Sequence, residues 1–468
     1  MPLGAPGSAE HPLRVAVVGS GPAAFYTVQH LFAERELACS VDMFERLPAP
    51  FGLVRYGVAP DHPKIKSVVA VYHKLAQQPS FRFFGGVDYG RHLSLADLRR
   101  HYHQVVFATG AQTDRRMGVA GEDLRGSYPA TEFVAWYNGH PDYAARHFDL
   151  DTERAVVVGV GNVAVDVARI LCSTPEELAA TDISDLALDA LRKSRVREVL
   201  LVGRRGPAQA AFTNPELKEL GQLQDAEART LAEEVELDPH SRAALGPEPD
   251  KATVRKLELL AAYAAPPAAA KGRRLWIRFL VSPTELVADE HGRVGRVRLV
   301  HNELYRAEDG SIRPRATERF ETIEAGLVFR SVGYKGVPLA DLPFDAGQGL
   351  VPNRAGRVFD PATGAMLPAT YVAGWIKRGP SGVIGTNKPD AEETVAAMLG
   401  ELGSGELAAP AAPEPEAIER LLQQRGVRWV SYSDWLRLDA LEVSRGKAQN
   451  RPRVKLLTYE AFNSAREA

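Results

Sequence analysis

Two segments about 140 residues apart repeat one pattern, Arg14-Val-Ala-Val-Val-Gly19-Ser-Gly21-Pro-Ala-Ala24 and Arg154-Ala-Val-Val-Val-Gly159-Val-Gly161-Asn-Val-Ala164. Each reads as an apolar strand, a tight glycine turn and the start of a helix, which is the Gly-x-Gly-x-x-Ala arrangement of a Rossmann unit. The first glycine makes the bend, and the second lets the backbone approach a pyrophosphate. The helix N-terminus then offers free N–H groups and a positive dipole to that anion. Glycine turns also occur with no nucleotide, where glycine serves only for positive φ. The apolar strand before each turn and the helical pattern after it favour the nucleotide reading, so the chain is expected to be α/β and to bind two dinucleotides.

The strand after each turn separates the two ligands. After the first, Ser40-Val-Asp-Met-Phe-Glu45 ends in an acid, placed to accept from ribose hydroxyls and to repel a 2′-phosphate, which suits FAD or NAD. After the second, Val196-Arg-Glu-Val-Leu-Leu-Val-Gly203-Arg204-Arg205 ends in two guanidiniums whose donor forks match a phosphate, which suits NADP. As plain structure, Glu45 is a solvated strand end and the arginines a basic turn. The stretch from Gly159 to Arg204 is long for such a unit, and Ser173–Ser194, with its Thr-Pro-Glu-Glu start, is expected to hold extra helix.

At 468 residues the chain has room for at least two cores, taking ~100–200 residues per domain. The net charge of −2 and a hydrophobic content of 45% point neither to nucleic acid nor to disorder. The only cysteines are Cys39 and Cys172, and no Cys-x-x-Cys occurs, which argues against a disulfide reductase with a redox-active thiol pair. With no run of ~18 apolar residues and no charged-then-apolar leader at the N-terminus, the expected compartment is the cytoplasm. The punctuation predicts a first nucleotide domain over 12–113 and a second over 114–331, then a return to the first over 332–400. A Pro/Ala/Gly/Glu linker and C-terminal extension over 401–468 should pack on the first domain. Within the second domain, Gln222–Lys271 reads as helices and loop rather than sheet. The runs from Leu275 and from Arg296 read as a β-meander added to the nucleotide core.

Two further segments are more specific than the glycine turns. They are Phe51-Gly-Leu-Val-Arg-Tyr-Gly-Val-Ala-Pro-Asp-His62-Pro-Lys-Ile-Lys66 and Val372-Ala-Gly374-Trp375-Ile-Lys-Arg-Gly-Pro-Ser-Gly382-Val-Ile384-Gly-Thr-Asn-Lys388. With Gln209-Ala-Ala-Phe-Thr-Asn-Pro-Glu216-Leu-Lys, and over about Pro12 to Asn387, the chain resembles the ferredoxin–NADP⁺ reductases of the adrenodoxin-reductase type, a glutathione-reductase-like class. The Asn450–Leu457 stretch is similar to bacterial members. The resemblance implies two Rossmann-like dinucleotide-binding domains, the NADP domain inserted in the FAD domain. It places Gly19, Gly21, Ala24, Glu45, Leu53 and Val87 on FAD, together with Trp375, Gly382, Val383 and Ile384. It places Arg115, Gly159, Gly161, Asn162, Val163, Arg204, Arg205 and Glu216 on NADPH. His62 and Glu216 match the catalytic pair near the nicotinamide–flavin contact, where positioning and proton handling are needed.

The implied activity is hydride transfer from NADPH to FAD, then single-electron delivery to an iron–sulfur ferredoxin. The sequence leaves the oligomeric state open, with a monomer slightly favoured. Two alternatives share the same nucleotides: an NADPH-dependent flavin monooxygenase, for which no fitting His-rich motif lies between the two turns, and a non-catalytic NADPH-binding sensor. Candidate charges for receiving an acidic ferredoxin are Arg192, Lys193, Arg195, Arg197, Lys271, Arg273 and Arg274.

Overall fold

All six residues of strand β1 (Leu13–Val18) are buried in the computed structural model, which describes residues 6–266, 270–405 and 407–467. The start of the N-terminal tail, Pro267 and Glu406 of the linker lie outside the described residues. An apolar run with almost no polar alternation suits a parallel strand covered on both faces. β1 pairs in parallel with β2 (Cys39–Glu45), which pairs with β3 (Phe81–Gly85), and on its other side with β4 (Gln104–Phe107). Its two neighbours diverge at its C-terminal end, the switch point at which open α/β sheets form a ligand crevice.

After β5 (Thr113–Asp114) the chain enters a second sheet through β6 (Ser127–Pro129), β7 (Arg154–Val158), β8 (Glu198–Val202), β9 (Ala226–Thr230) and β10 (Arg273–Arg278). The strands β11 (Val281–Ala288), β12 (Val294–Arg306) and β13 (Ile312–Glu324) form a separate antiparallel sheet. β14 (Leu327–Arg330) then slots back into the second sheet, whose order is β6-β14-β7-β8-β10-β9 with every neighbouring pair parallel. β15 (Tyr334–Lys335) pairs with β5, so the two crossings between the sheets run side by side. Finally β16 (Asn353–Arg354), β17 (Arg357–Phe359) and β18 (Met366–Val372) complete the first sheet in the order β16-β17-β18-β4-β1-β2-β3. The result is two Rossmann-like α/β units.

The extra helix expected before Arg204 is present as Pro175–Ala179 and Asp185–Arg192, each opened by a side-chain cap, Thr174 and Ser184. Two other expectations need correction. Ala226–Thr230 is a strand rather than helix or loop; its alanines favour helix locally, but pairing with β10 at the sheet edge overrides that preference. The run from Leu275 is not part of a meander. Its first half, β10, belongs to the parallel sheet, and the chain turns at Leu280, which sits at φ 57°, before starting the antiparallel β11.

The C-terminal extension also touches both units. Val430 bridges Gly85 at the end of β3, and Trp435, Leu438 and Phe462 join the core of the first unit. Arg451, however, donates to the Thr181 and Ile183 carbonyls of the second unit, and Lys455 pairs with Asp182 at 3.3 Å.

Candidate functional site

The two glycine turns are equivalent down to their hydrogen bonds. Gly19 N donates to the Phe44 carbonyl at 2.8 Å, and Gly159 N to the Val202 carbonyl at 2.9 Å. Both residues have positive φ, 101° and 135°. A Cβ on Gly19 would lie 2.5 Å from the Ala108 oxygen past β4, and one on Gly159 would lie 2.2 Å from the Ser331 oxygen past β14. Only glycine therefore lets each turn nest against the neighbouring strand end. A Cβ on Gly21 or Gly161, in contrast, would meet nothing within 4 Å. These positions face open space, and the helices they begin, Pro22–Ala33 and Asn162–Cys172, have no side-chain cap. Two uncapped helix N-termini behind open backbone fit two pyrophosphates.

Around the first turn, Glu45 is enclosed. Its Oε2 accepts from Ser20 N at 3.1 Å and Ser20 Oγ at 2.6 Å, and its Oε1 accepts from Leu47 N at 3.0 Å. One acceptor site remains on Oε1 for a ribose hydroxyl. Burial raises the Glu45 pKa, opposed by these hydrogen bonds and by Arg46. Val87 is buried with its N–H on the Glu45 carbonyl, and Ala24 is buried one turn into the helix. The Phe51–Gly52 backbone, at φ 83° and 47°, folds over the turn so closely that a Cβ on Gly52 would be 2.9 Å from Gly21 Cα; half-buried Leu53 comes next.

Around the second turn the electrostatics reverse. Arg204 and Arg205 are exposed just past β8, and among the described residues neither guanidinium has a hydrogen bond or an ion pair. Partial burial and the adjacent Arg204 lower the Arg205 pKa. Asn162 Oδ1 accepts from Thr213 N at 2.9 Å, half-buried Val163 packs on the second core, and Arg115 extends from β5 to the Gln348 carbonyl at 3.2 Å.

Between the units lies a six-residue charged cluster. Asp61 and His62 come from the first unit, Asp166 and Arg169 from the Asn162–Cys172 helix, and Glu216 and Glu219 from the Asn214–Leu220 helix. Arg169 grips Asp61 at 2.6 and 3.0 Å, Asp166 at 2.7 Å and Glu216 at 3.2 Å. His62 Nε2 sits 2.7 Å from Glu219 Oε2 and 3.8 Å from Glu216 Oε2, with Nδ1 4.0 Å from Asp166. Burial pushes Asp166 up to about 7, with Arg169 opposing and Glu216 reinforcing the shift. Burial likewise raises Glu216; at Asp61 it is outweighed by Arg169, which leaves that carboxylate below its usual value.

The aromatic-glycine segment approaches the first turn from the other side. A Cβ on Gly374 would lie 2.5 Å from Ala23 Cβ, and Gly374 N donates to Asp390 at 2.5 Å. Half-buried Trp375 stands 5.3 Å from Tyr334 and donates to the Ser381 carbonyl. Gly382, at φ 78°, precedes Val383, which is 59% exposed, and half-buried Ile384, just ahead of the Asn387–Ser404 helix. An exposed valine in the same segment as a half-buried tryptophan offers apolar surface to a planar ring.

The structure thus brings His62 and Glu216 into one cluster but gives His62 its close partner in Glu219. Sequence reasoning missed Glu219, Asp61, Asp166 and Arg169. The available signal was the spacing of Asp166–Arg169 and Glu216–Glu219, each i,i+3 on one helix face.

The charges considered for partner docking fare differently. Arg273 is buried against Asp225 at 3.1 Å, and Arg192, Arg195 and Arg274 are ion-paired. Arg197 and Arg274 also flank the starts of β8 and β10, the opposite end of the sheet from Arg204 and Arg205.

Comparison with known proteins places these features. Residues 13–201 match the family described as "Pyridine nucleotide-disulphide oxidoreductase". The chain is 44% identical over 456 residues to the NADPH-ferredoxin reductase FprA of Mycobacterium tuberculosis, covering 95% of this chain and 97% of that protein. It is 42% identical over 468 residues to the mitochondrial NADPH:adrenodoxin oxidoreductase of Arabidopsis thaliana, covering 98% and 96%. The solved structure of M. tuberculosis FprA in complex with NADPH superposes with a TM-score of 0.91 at 42% identity, over 98% of this chain and 100% of that one.

Proposed function

The chain belongs to the family of NADPH-ferredoxin reductases, and from that premise we propose how its own residues divide the reaction. It is a FAD-dependent NADPH:ferredoxin oxidoreductase. When bound, FAD supplies the conversion of a two-electron hydride from NADPH into single electrons for ferredoxin.

We assign residues 12–113 and 332–400 to FAD, with the Gly19–Gly21 turn and Ala24 on the pyrophosphate side and Glu45 on the ribose. Leu53 and Val87 are assigned to the same cofactor, and Trp375 and 382–384 to its ring system. Residues 114–331 are assigned to NADPH, with Gly159, Gly161, Asn162 and Val163 at the pyrophosphate, Arg204 and Arg205 at the 2′-phosphate, and Arg115 and Glu216 along the nucleotide. Both turns and the charged cluster come from one chain, so a single copy holds a complete site.

His62 and Glu216 are assigned to the nicotinamide contact. Hydride transfer needs alignment rather than an acid, and Glu219 on Nε2 fixes the imidazole plane while Arg169 fixes Glu216. One proton leaves for each NADPH oxidised, and the Asp166 carboxyl beside His62 Nδ1, with its pKa near 7, is the group suited to hold it. The thiols take no part: Cys39 and Cys172 are unpaired, and burial pushes both up to about 12.

The observation that carries the coenzyme assignment is the pair of exposed guanidiniums past β8, without a hydrogen bond or ion pair among the described residues, on the strand beside β7, which leads into the uncapped Asn162–Cys172 helix. Two charge-assisted contacts, each on the order of 1.5–3 kcal/mol before losses, should favour NADPH over NADH by at least about tenfold. Replacing both arginines by alanine should raise the NADPH KM strongly and leave NADH kinetics and flavin content near wild type. Equal use of the two coenzymes by the wild type, or joint loss of both activities in the double variant, would make the arginines structural.

A further inference from the structure

The turn that carries Arg204 and Arg205 is unusually well held for an exposed loop. Its three successive carbonyls are all occupied: Gly203 O accepts from Val281 N at 3.1 Å, Arg204 O from Asn302 Nδ2 at 3.1 Å, and Arg205 O from Leu280 N at 3.2 Å. On its inner side, a Cβ on Gly203 would be 2.7 Å from Val160 Cγ1, so the turn also packs on the middle residue of the second glycine turn. The backbone is fixed while the two side chains are free.

Two of these contacts are backbone consequences of the β10–β11 corner at Leu280. The third is a side chain reaching in from another sheet. Asn302 lies on β12, is 8% exposed, and sits at a register shift in the β12–β13 ladder between Val300 and Asn302. Such an irregularity re-aims a side chain. Its own N–H donates to the Leu280 carbonyl at 2.6 Å, and its amide nitrogen spans Ser282 Oγ at 2.8 Å and the Arg204 carbonyl. A buried amide that satisfies an otherwise unfilled carbonyl orders the peptide to which it bonds.

We propose that Asn302 is a positioning residue for coenzyme choice: through its hydrogen bond to the Arg204 carbonyl, the antiparallel β11-β12-β13 sheet holds the arginine turn in the geometry that grips the 2′-phosphate of NADPH. This rests on the assignment of Arg204 and Arg205 to that phosphate. Asn302 acts through the Arg204 carbonyl rather than on the coenzyme itself. It contributes pre-organisation, which sets how much of each guanidinium contact is realised as affinity. The residue at this position, and not only the arginines, therefore fixes how sharply the enzyme separates phosphorylated from unphosphorylated coenzyme.

The test compares binding of 2′,5′-ADP and 5′-AMP to the purified flavin-containing enzyme by titration calorimetry, since these probes differ only in the 2′-phosphate. The wild type should bind 2′,5′-ADP at least about tenfold tighter. Asn302→Ala should lower 2′,5′-ADP affinity about tenfold and change 5′-AMP affinity less than twofold. Asn302→Asp, which keeps the shape but exchanges the donor for a negative charge, should lower 2′,5′-ADP affinity at least as far and serves where the alanine variant fails to fold. R204A/R205A should abolish the difference between the probes. A wild type that does not distinguish them, or an arginine variant that still does, overturns the coenzyme assignment and the inference together. Arginine variants behaving as expected, with Asn302→Asp either keeping wild-type discrimination or weakening both probes equally, overturns the inference alone.

Discussion

Asp166 lies inside the Asn162–Cys172 helix, a turn past Asn162, and the residues around it decide its proton. Buried among Arg169, Glu216 and His62, its carboxyl rises from the usual value to about 7. A carboxyl raised in the folded state contributes stability that is full below its unfolded pKa of about 3.9 and is lost as pH climbs through about 7. Between pH 4 and 8 the wild type should therefore lose on the order of a few kcal/mol through this group. Asp166→Asn should flatten that part of a series of thermal unfolding curves, and superimposable slopes would remove Asp166 from the account. Trp375 invites a second substitution. If it faces the flavin ring, Trp375→Ala should shift the flavin absorption bands or reduction potential, whereas an unchanged spectrum and potential would leave it a core side chain. At this scale the sequence was readable where chemistry is local: Gly19, Glu45 and Arg204 sit beside their own turns. It was unreadable where Asp61, Arg169 and Glu219 meet, because three segments converge there only after folding.

Among the elements, the helix Tyr432–Lys447 shows why the C-terminal extension matters to the site. Glu442, fully buried, holds Arg55 through two hydrogen bonds of 2.9 and 2.6 Å, and Arg55 lies over Trp435 at 4.9 Å. Arg55 belongs to the segment that folds over the first glycine turn, so the extension braces that segment from behind. Glu442→Gln leaves the guanidinium without its counter-charge, a change that typically costs about 3–5 kcal/mol. The expected result is a clear fall in Tm together with faster loss of FAD on dilution, read by flavin fluorescence; a variant with wild-type Tm would show the pair to be dispensable. Of the three helices among the extension's described residues the sequence reading found one, over 416–424, and it also placed the extension on the first unit; Tyr432–Lys447 and Tyr459–Glu467 were not read as helices. The extension's grip on the second unit was not legible either, since it runs through Arg451 and Lys455, whose charges look solvated in isolation. β9 was hidden for the complementary reason: an alanine-rich edge strand takes its form from β10 beside it.

Across the whole molecule, two Rossmann-like units are joined by Asp61 and His62 from one and Asp166, Arg169, Glu216 and Glu219 from the other. Their arrangement comes from a chain that leaves the first sheet after β4 and returns at β16. No helix among the described residues is long and apolar enough to cross a membrane. This architecture turns one hydride into single electrons for an iron–sulfur protein. The direct measurement is an anaerobic titration of the purified yellow protein, monitoring NADPH and an oxidised ferredoxin simultaneously. Two one-electron ferredoxins should be reduced for each NADPH consumed, with catalytic amounts of enzyme. NADPH oxidised without ferredoxin reduction, or no flavin band in folded protein, would contradict the account.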